Sequence, residues 1–199
     1  MKVSFWRRVA CAALCLLLVI PFAACGKESA AEGGLDANAA YYADIVIKDY
    51  GTITVQLYQN AAPITVDNFI KLAESGFYDG LTFHRIMEGF MMQGGANPTN
   101  VPDSIVGEFA ANGYDNPLKH TRGVISMART NDPNSASSQF FIVHQDSPHL
   151  DGQYAAFGCV IEGIEVVDAV CGNANPTDGN GSIAEEDRPV ITSITIRTK

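Results

Sequence analysis

Short apolar runs separated by turn residues dominate this sequence from Tyr42 onward, and they restrict the folds open to it. The first two runs alternate apolar and polar residues on either side of a turn at residues 49–51; their apolar members are Ile45, Ile47, Ile53, Val55 and Leu57. A period of two around a glycine turn predicts a β-hairpin. Further β-rich runs occupy residues 81–86, 124–128, 139–143, 154–160 and 190–197, joined by Gly, Asn and Pro turns.

Two segments have helical periodicity instead. Pro63 stands where a helix can begin, and Gly76 stands where it can end; between them the apolar residues Val66, Phe69, Ile70 and Ala73 follow the spacing i, i+3, i+4, i+7. A shorter helix fits residues 164–170. Many short strands with two helices indicate a closed antiparallel barrel or a sandwich, and periodicity does not distinguish them.

Residues 1–24 are typical of an export signal rather than of a folded element. Lys2, Arg7 and Arg8 precede an apolar run at residues 9–20, which is shorter than the roughly 20 apolar residues that a membrane-spanning helix needs. We therefore interpret the segment as a signal peptide.

The end of that segment resembles the lipobox of bacterial lipoproteins. Ala23 and Ala24 directly precede Cys25, although Phe22 replaces the usual leucine, and the resemblance implies a lipidated Cys25. Residues 25–40 then form a flexible tether, with a reach on the order of 20 Å. We expect an extracytoplasmic protein, lipid-anchored to a bacterial membrane, with its domain at residues 41–199. Ordinary secretion with an unmodified Cys25 thiol remains an alternative.

The charge balance argues against a nucleic-acid-binding protein, and the cysteine count excludes a disulfide scaffold. The chain carries 13 Lys and Arg against 22 Asp and Glu, a net charge of -9, which argues against a nucleic-acid partner. Cys11 and Cys15 lie in the signal peptide, so Cys159 and Cys171 are the cysteines left to the domain. That number excludes a disulfide scaffold, whereas a single bridge between them stays open.

Three motifs occur in order along the domain. They are FHRIMEGFMMQGG at residues 83–95, VISMARTNDPNSASSQFFI at 124–142 and LDGQYAAFG at 150–158, with GEFA and NPLKHTRG between the first two. Together they resemble the cyclophilin family of peptidyl-prolyl cis-trans isomerases, over residues 42–196. The resemblance implies a mainly β fold, a closed eight-stranded antiparallel β-barrel capped by two α-helices, with the substrate groove on its outer face. It also implies an isomerase that promotes the folding of exported proline-containing polypeptides, and nothing suggests more than a monomer.

The resemblance assigns residues to the groove. Arg85 matches the catalytic arginine, and Gln93 matches the glutamine that orients it and meets the substrate. Phe90, Met91, Phe141 and Leu150 match the walls of the proline pocket. Ala128 and Arg129 match positions that bind the substrate chain through their own backbone groups, and Gln139 shares the strand face of Phe141. His149 stands where many family members have Trp or Phe, and Tyr154 stands where many have His. The change at His149 implies weak cyclosporin binding.

The expected chemistry needs no nucleophile, metal or cofactor, because rotation about an X-Pro bond makes and breaks no covalent bond. Its barrier is about 18–20 kcal/mol, and the nitrogen gains a lone pair as the amide twists. A fixed cationic donor aimed at that nitrogen stabilises the twisted state more than the planar states. Arg85 suits this role since its guanidinium stays charged and presents a rigid fork of donors.

Other interpretations of the same residues are weaker. His144 and His149 flank Asp146, but no third and fourth metal ligand follows at a recognisable spacing. The loop from Asp178 to Pro189 has an Asp-x-Asn start but fails as an EF-hand, because Ile183 and Pro189 replace its required Gly and Glu. Two alternatives to an isomerase remain: a non-catalytic peptide-binding chaperone or surface-interaction module, and a lipocalin-like barrel with an open interior.

Overall fold

The structure, a computed structural model, describes residues 35–36 and 39–199. The described residues form eight strands and two α-helices: β1 Tyr41–Ile47, β2 Gly51–Leu57, α1 Pro63–Glu74, β3 Phe83–Met87, β4 Met91–Gly94, β5 Val124–Met127, β6 Phe140–Val143, β7 Ala156–Glu162, α2 Ile164–Gly172 and β8 Ile191–Thr198. The predicted signal peptide, Cys25 and most of the tether lie outside this range. Of the helices that the structure describes, none is long and apolar enough to cross a bilayer.

All the strand pairs are antiparallel, in the order β3-β4-β6-β5-β7-β2-β1-β8. The predicted hairpin is confirmed as β1 and β2, which pair from Tyr41 opposite Leu57 to Ile47 opposite Gly51. Asp49 in its turn has a positive φ of 66°. The sheet curls into a half-barrel, with the two helices packed against it.

The prediction of a fully closed barrel is wrong, because the outermost strands β3 and β8 do not form a ladder. One isolated bridge joins Thr82 to Val190 just outside both strands. Beyond it, residues 181–189 lie along β3 through three backbone bonds: Phe83 N–H to the Pro189 carbonyl (2.9 Å), Ile86 N–H to Gly181 (2.8 Å) and Ile183 N–H to His84 (3.0 Å). Pro189 has no N–H to extend the pairing. A loop therefore occupies the edge that a closing strand would need.

The interior of the half-barrel is filled with side chains. Helix α1 contributes Phe69, whose ring lies 5.2–5.5 Å from the rings of Tyr78, Phe140 and Phe157. Isoleucine and valine side chains of β1 and β2 complete the packing; Ile45, Ile53 and Val55 have no solvent exposure. A filled interior fits an outer-surface groove and contradicts the lipocalin-like alternative.

A carboxylate from a distant loop caps the first turn of α1. Ala62, at the N-cap position, has no side-chain acceptor for the exposed backbone N–H groups. Glu108, which is fully buried, replaces it: its carboxylate accepts from Ile64 N–H (3.0 Å), Thr65 N–H (2.8 Å) and the Thr65 hydroxyl (2.7 Å). The negative charge also lies at the positive end of the helix dipole.

The described residues near the start of the domain lie against it. Leu35 packs on the core, Asp36 N–H donates to the Tyr41 hydroxyl (2.8 Å), and Ala40 and Lys199 exchange two backbone hydrogen bonds. Cys159 and Cys171 are both free thiols. The single disulfide that the sequence left open is therefore not formed.

Candidate active site

The eleven candidate groove residues come together on the outer face of β3, β4 and β6. Nine of them line one cavity of about 160 Å³: Arg85, Phe90, Met91, Gln93, Ala128, Arg129, Phe141, Leu150 and Tyr154. Gln139 lines the adjoining cavity, and the exposed His149 ring lies 5.4 Å from the Phe90 ring. The structure thus assembles every residue that the motifs single out, and their individual roles stay predictions.

A bulge in β3 directs Arg85 into the groove. Phe83 pairs with Gly94 and Arg85 with Gln93, so His84 is an extra residue and strict alternation is broken. Phe83 and Ile86 are buried in the core, whereas both His84 and Arg85 lie outside it. In a regular strand His84 and Arg85 would face opposite sides of the sheet, and the bulge removes this alternation. His84 lines a separate cavity beside Arg188.

The Arg85 guanidinium is held by neutral groups. Its Nε donates to the Asn180 carbonyl (2.7 Å), and Nη2 contacts the Met87 sulfur at 3.3 Å. Among the residues that the structure describes, it forms no ion pair. Its positive charge is therefore not neutralised by a carboxylate and remains available to a ligand in the groove.

Gln93 links Arg85 to the neighbouring strand. Its Oε1 accepts from Arg85 Nη1 at 3.5 Å, and its Nε2 donates to Gln139 Oε1 at 3.0 Å. The second bond fixes the orientation of the amide, so that the carbonyl oxygen faces the guanidinium. Gln93 can therefore restrict the directions that Arg85 adopts.

Apolar side chains form the floor beside this polar edge. Met91, Phe141 and Leu150 are buried in a small apolar cluster distinct from the main core, and Phe90 packs against it while remaining partly exposed. The Arg85 guanidinium carbon lies 5.9 Å from the centre of the Phe90 ring. A cationic donor next to an apolar floor suits a compact apolar ring attached to a polar amide.

Arg129 closes the other side of the groove. Its guanidinium lies 4.8 Å from the Tyr154 ring centre and 4.9 Å from that of Phe109, within the range of cation–π attraction. Its Nε also donates to the Gln153 carbonyl at 3.0 Å. The side chain is therefore engaged with two aromatic rings and a carbonyl of the protein, which supports the interpretation that this position contacts substrate through its backbone.

Buried hydrogen bonds hold His120 against the Phe141 ring, and the sequence alone did not indicate this contact. His120 is 1% exposed and stacks on the Phe141 ring at 6.0 Å. Its backbone N–H and Nδ1 lie 2.8 and 3.1 Å from Asp151 Oδ1, and its Nε2 lies 3.0 Å from the Ser126 hydroxyl. Nδ1–H therefore donates to Asp151, and Nε2 accepts from Ser126. His120 lies within the NPLKHTRG motif, but no spacing indicates these partners.

Burial lowers the pKa of His120 despite the opposing effect of Asp151, and burial together with Arg188 and Arg85 lowers the pKa of His84. Unfolded histidines titrate near pH 6.5, so below that pH the unfolded state binds more protons. We expect the free energy of unfolding to fall as the pH drops below about 6.5, by at most about 1.4 kcal/mol per pH unit for each histidine. Urea unfolding at pH 7.5 and 5.5 measures this. His84→Asn should reduce the difference, and equal stabilities at the two pH values would contradict the expectation.

Residues of the two ion sites that the sequence argues against bind other groups of the protein. Asp178 accepts hydrogen bonds from the backbone of Asn180 and Ser182 within its own loop. Within the described part of the chain, no three His, Cys, Asp or Glu side chains converge as metal ligands would. His144 bonds to Gly89 and Asp168.

Comparison with known proteins identifies the family of this arrangement. Residues 42–197 match the family model for cyclophilin type peptidyl-prolyl cis-trans isomerase/CLD. The peptidyl-prolyl cis-trans isomerase of Acinetobacter baylyi is 37% identical over 174 residues, covering 83% of this chain and 93% of that protein. Peptidyl-prolyl cis-trans isomerase B of Escherichia coli is 35% identical over 156 residues, covering 74% and 95%.

Solved structures agree with the sequence comparison. A cyclophilin type peptidyl-prolyl cis-trans isomerase from Cryptosporidium parvum, crystallised in the presence of the dipeptide Ala-Pro, superimposes with a TM-score of 0.68 at 29% identity. The match covers 79% of this chain and 99% of that one. The resemblance that the motifs indicated is confirmed at the level of fold and family.

Proposed function

This chain belongs to the cyclophilin-type peptidyl-prolyl cis-trans isomerase family, and we propose that it isomerises X-Pro bonds of exported polypeptides through Arg85. It is a peptidyl-prolyl cis-trans isomerase, as its relatives are. The observation that carries the proposed mechanism is the Arg85 guanidinium, which has no carboxylate partner among the described residues and lies at the edge of an apolar groove.

Binding of the proline ring comes first in the mechanism. The ring packs on Met91, Phe141 and Leu150, while Phe90 covers its side. These contacts hold the proline end of the amide still. The residue before proline is then the part that rotates, and the groove walls do not have to move.

Arg85 acts on the rotating bond. As the amide twists, its nitrogen loses conjugation and becomes an acceptor for a guanidinium N–H. This interaction is absent in the planar cis and trans states, so it lowers the barrier rather than only tightening binding. Each 1.36 kcal/mol gained in this way accelerates the reaction about tenfold. Gln93 holds the guanidinium in the direction that the twisted nitrogen requires.

The direct test measures turnover of a Xaa-Pro tetrapeptide by the full chain, kept in solution with a mild detergent. We expect acceleration over the uncatalysed reaction, which takes tens of seconds or more. A folded protein that binds the peptide without accelerating its isomerisation would instead be a peptide-binding module of the same fold.

We infer the site of action from the N-terminal segment. The small residues before Cys25 support a lipid anchor, and the acidic domain would then work near the membrane surface on chains that emerge from export. Expression of the full chain in a bacterium fed a labelled fatty acid tests this. We expect label and membrane association in the wild type, and neither in Cys25→Ser; labelled Cys25→Ser protein would contradict the proposal.

Cyclosporin should bind this protein weakly. His149 is exposed beside Phe90, where many family members have an indole that the drug contacts. We expect His149→Trp to tighten binding at least about tenfold, since buried indoles are frequent energetic centres of interfaces. Calorimetric titration of both proteins measures the change. Unchanged affinity would show that another feature of the groove limits binding.

A further inference from the structure

His144 contacts the turn that carries Phe90 at two consecutive residues. Its backbone N–H donates to the Phe90 carbonyl at 2.8 Å, and its Nδ1 accepts the Gly89 N–H at 2.8 Å. His144 follows directly after β6, whereas Gly89 and Phe90 lie between β3 and β4. One residue therefore ties the tip of this turn to the middle of the sheet.

The partners of the ring fix its tautomer. A backbone N–H can only donate, so Nδ1 of His144 must be the unprotonated nitrogen. The proton of the neutral ring then lies on Nε2, which faces Asp168 Oδ1 at 3.1 Å. With the side chain buried, both nitrogens are satisfied and the ring has one orientation.

Helix α2 and Arg122 complete a closed set of contacts around the ring. Asp168 belongs to α2, and its carboxylate also binds Arg122 Nη2 at 2.7 Å. Arg122 returns to the same histidine, because its Nη1 donates to the His144 carbonyl at 2.8 Å. The ring is thus held through Nε2 by α2, while its Nδ1 holds the turn.

We propose that His144 is a positioning residue for the proline pocket: its ring, oriented by Asp168, holds Gly89 and so places Phe90 against the substrate. The turn is closed by the Phe90 N–H, which donates to the Met87 carbonyl at 3.0 Å, but Gly89 is exposed with a positive φ of 77° and has no side chain to pack. The Phe90 side chain is only partly buried, and its direction depends on the backbone that carries it. This inference rests on the proposed function of Phe90 as a pocket wall.

Two isosteric substitutions separate the two ends of the ring. An asparagine amide oxygen occupies nearly the position of Nδ1, whereas a glutamine amide extends to the position of Nε2. His144→Asn can therefore keep the bond to Gly89 and lose Asp168, while His144→Gln does the reverse. A merely structural role of the side chain would make the two variants similar.

Kinetics and nuclear magnetic resonance of the full chain in detergent then test the role. We expect His144→Gln to lower kcat/KM for the Xaa-Pro tetrapeptide by about three- to tenfold. The loss should arise mainly through KM, because Phe90 contacts the proline ring of the substrate in the planar and the twisted states alike. His144→Asn should stay within about twofold of the wild type. Equal losses in both variants, or wild-type kinetics in His144→Gln, would overturn the proposal.

The spectroscopic measurement does not depend on turnover. In ¹⁵N-labelled protein the N–H···N bond gives a scalar coupling between the Gly89 amide nitrogen and His144 Nδ1, and the Phe90 ring protons report its placement. We expect the Phe90 signals to move in His144→Gln and to remain in place in His144→Asn. Unmoved Phe90 signals in His144→Gln would refute positioning, even if the wild type proved inactive and the proposed function failed.

A second pair of variants covers the case in which the His144 variants do not fold. Asp168→Ala removes the group that orients the His144 ring. Glu165→Ala removes an exposed carboxylate from the same helix and leaves Asp168 in place. Without Asp168 the imidazole can turn its Nδ1 away from Gly89, so we expect a shift of the Phe90 signals and a loss of about two- to threefold in kcat/KM in Asp168→Ala and not in Glu165→Ala. Identical behaviour of the two variants would count against the proposal.

Discussion

Replacing Arg85 with alanine should lower kcat/KM for a Xaa-Pro tetrapeptide by about 10²- to 10³-fold, the range seen when one fixed donor to a transition state is removed. The Arg85 guanidinium lies at the edge of the apolar floor without a carboxylate partner, whereas Arg129 stacks on Tyr154 and Phe109, so we expect no neighbouring group to replace Arg85. The fold should be unaffected, because Arg85 lies outside the core. A protease-coupled or magnetisation-exchange assay measures the rate, and circular dichroism confirms folding.

Two control substitutions make this result specific. Arg85→Lys keeps the charge but loses the fork of donors, and we expect it to recover only part of the rate. Arg129→Ala removes the same charge from the opposite side of the groove, where the side chain stacks on Tyr154 and Phe109. It should cost less than about tenfold. Equal losses at both arginines would show that the charge of the groove matters, rather than a directed donor.

Replacing Glu108 with alanine should lower the free energy of unfolding by about 2–4 kcal/mol, the combined cost of a lost helix cap and of buried donors left without an acceptor. Thr65 loses both of the hydrogen bonds that it donates to Glu108 in this variant, and it is fully buried, so water cannot replace the carboxylate without rearrangement. The effect acts on α1, whose Phe69 lies at the centre of the core. Urea unfolding followed by far-ultraviolet circular dichroism measures it.

The matched control is a carboxylate that belongs to α1 itself. Asp67 forms an exposed i,i+4 pair with Lys71, and such pairs contribute only a few tenths of a kcal/mol. Asp67→Ala should therefore change stability by less than about 0.5 kcal/mol. A loss in Glu108→Ala no larger than that of Asp67→Ala would mean that the cap is replaced by solvent.

Periodicity predicted the elements whose side chains face two different environments. The β1–β2 hairpin alternates buried and more exposed residues over most of its length, and α1 has one apolar face, so both patterns were visible in the sequence. Strand β4 was missed by the same reasoning. Three of its four residues are buried, so it has no alternation, and its length leaves too few residues to show a period.

The motifs were sufficient to collect the groove residues, because each motif stands on one strand or turn and the family fold brings those elements together. They did not indicate how the sheet ends. Closure depends on whether residues 181–189 or β8 reach the edge of β3, and this is a competition between two segments for the same backbone groups. No local pattern records its outcome.

The sequence by itself therefore determined the hairpin, the helices, the family and the set of side chains at the groove, since these depend on spacing within single elements. Only the tertiary structure decided which partners hold those elements in place. Glu108 caps α1 from 43 residues away from Thr65, and His144 binds Gly89 across 55 residues. Such contacts are made by single polar atoms that happen to meet in the folded chain. The two residues of each contact lie far apart in the sequence and follow no periodic pattern, so the contact can be identified only when the fold is known.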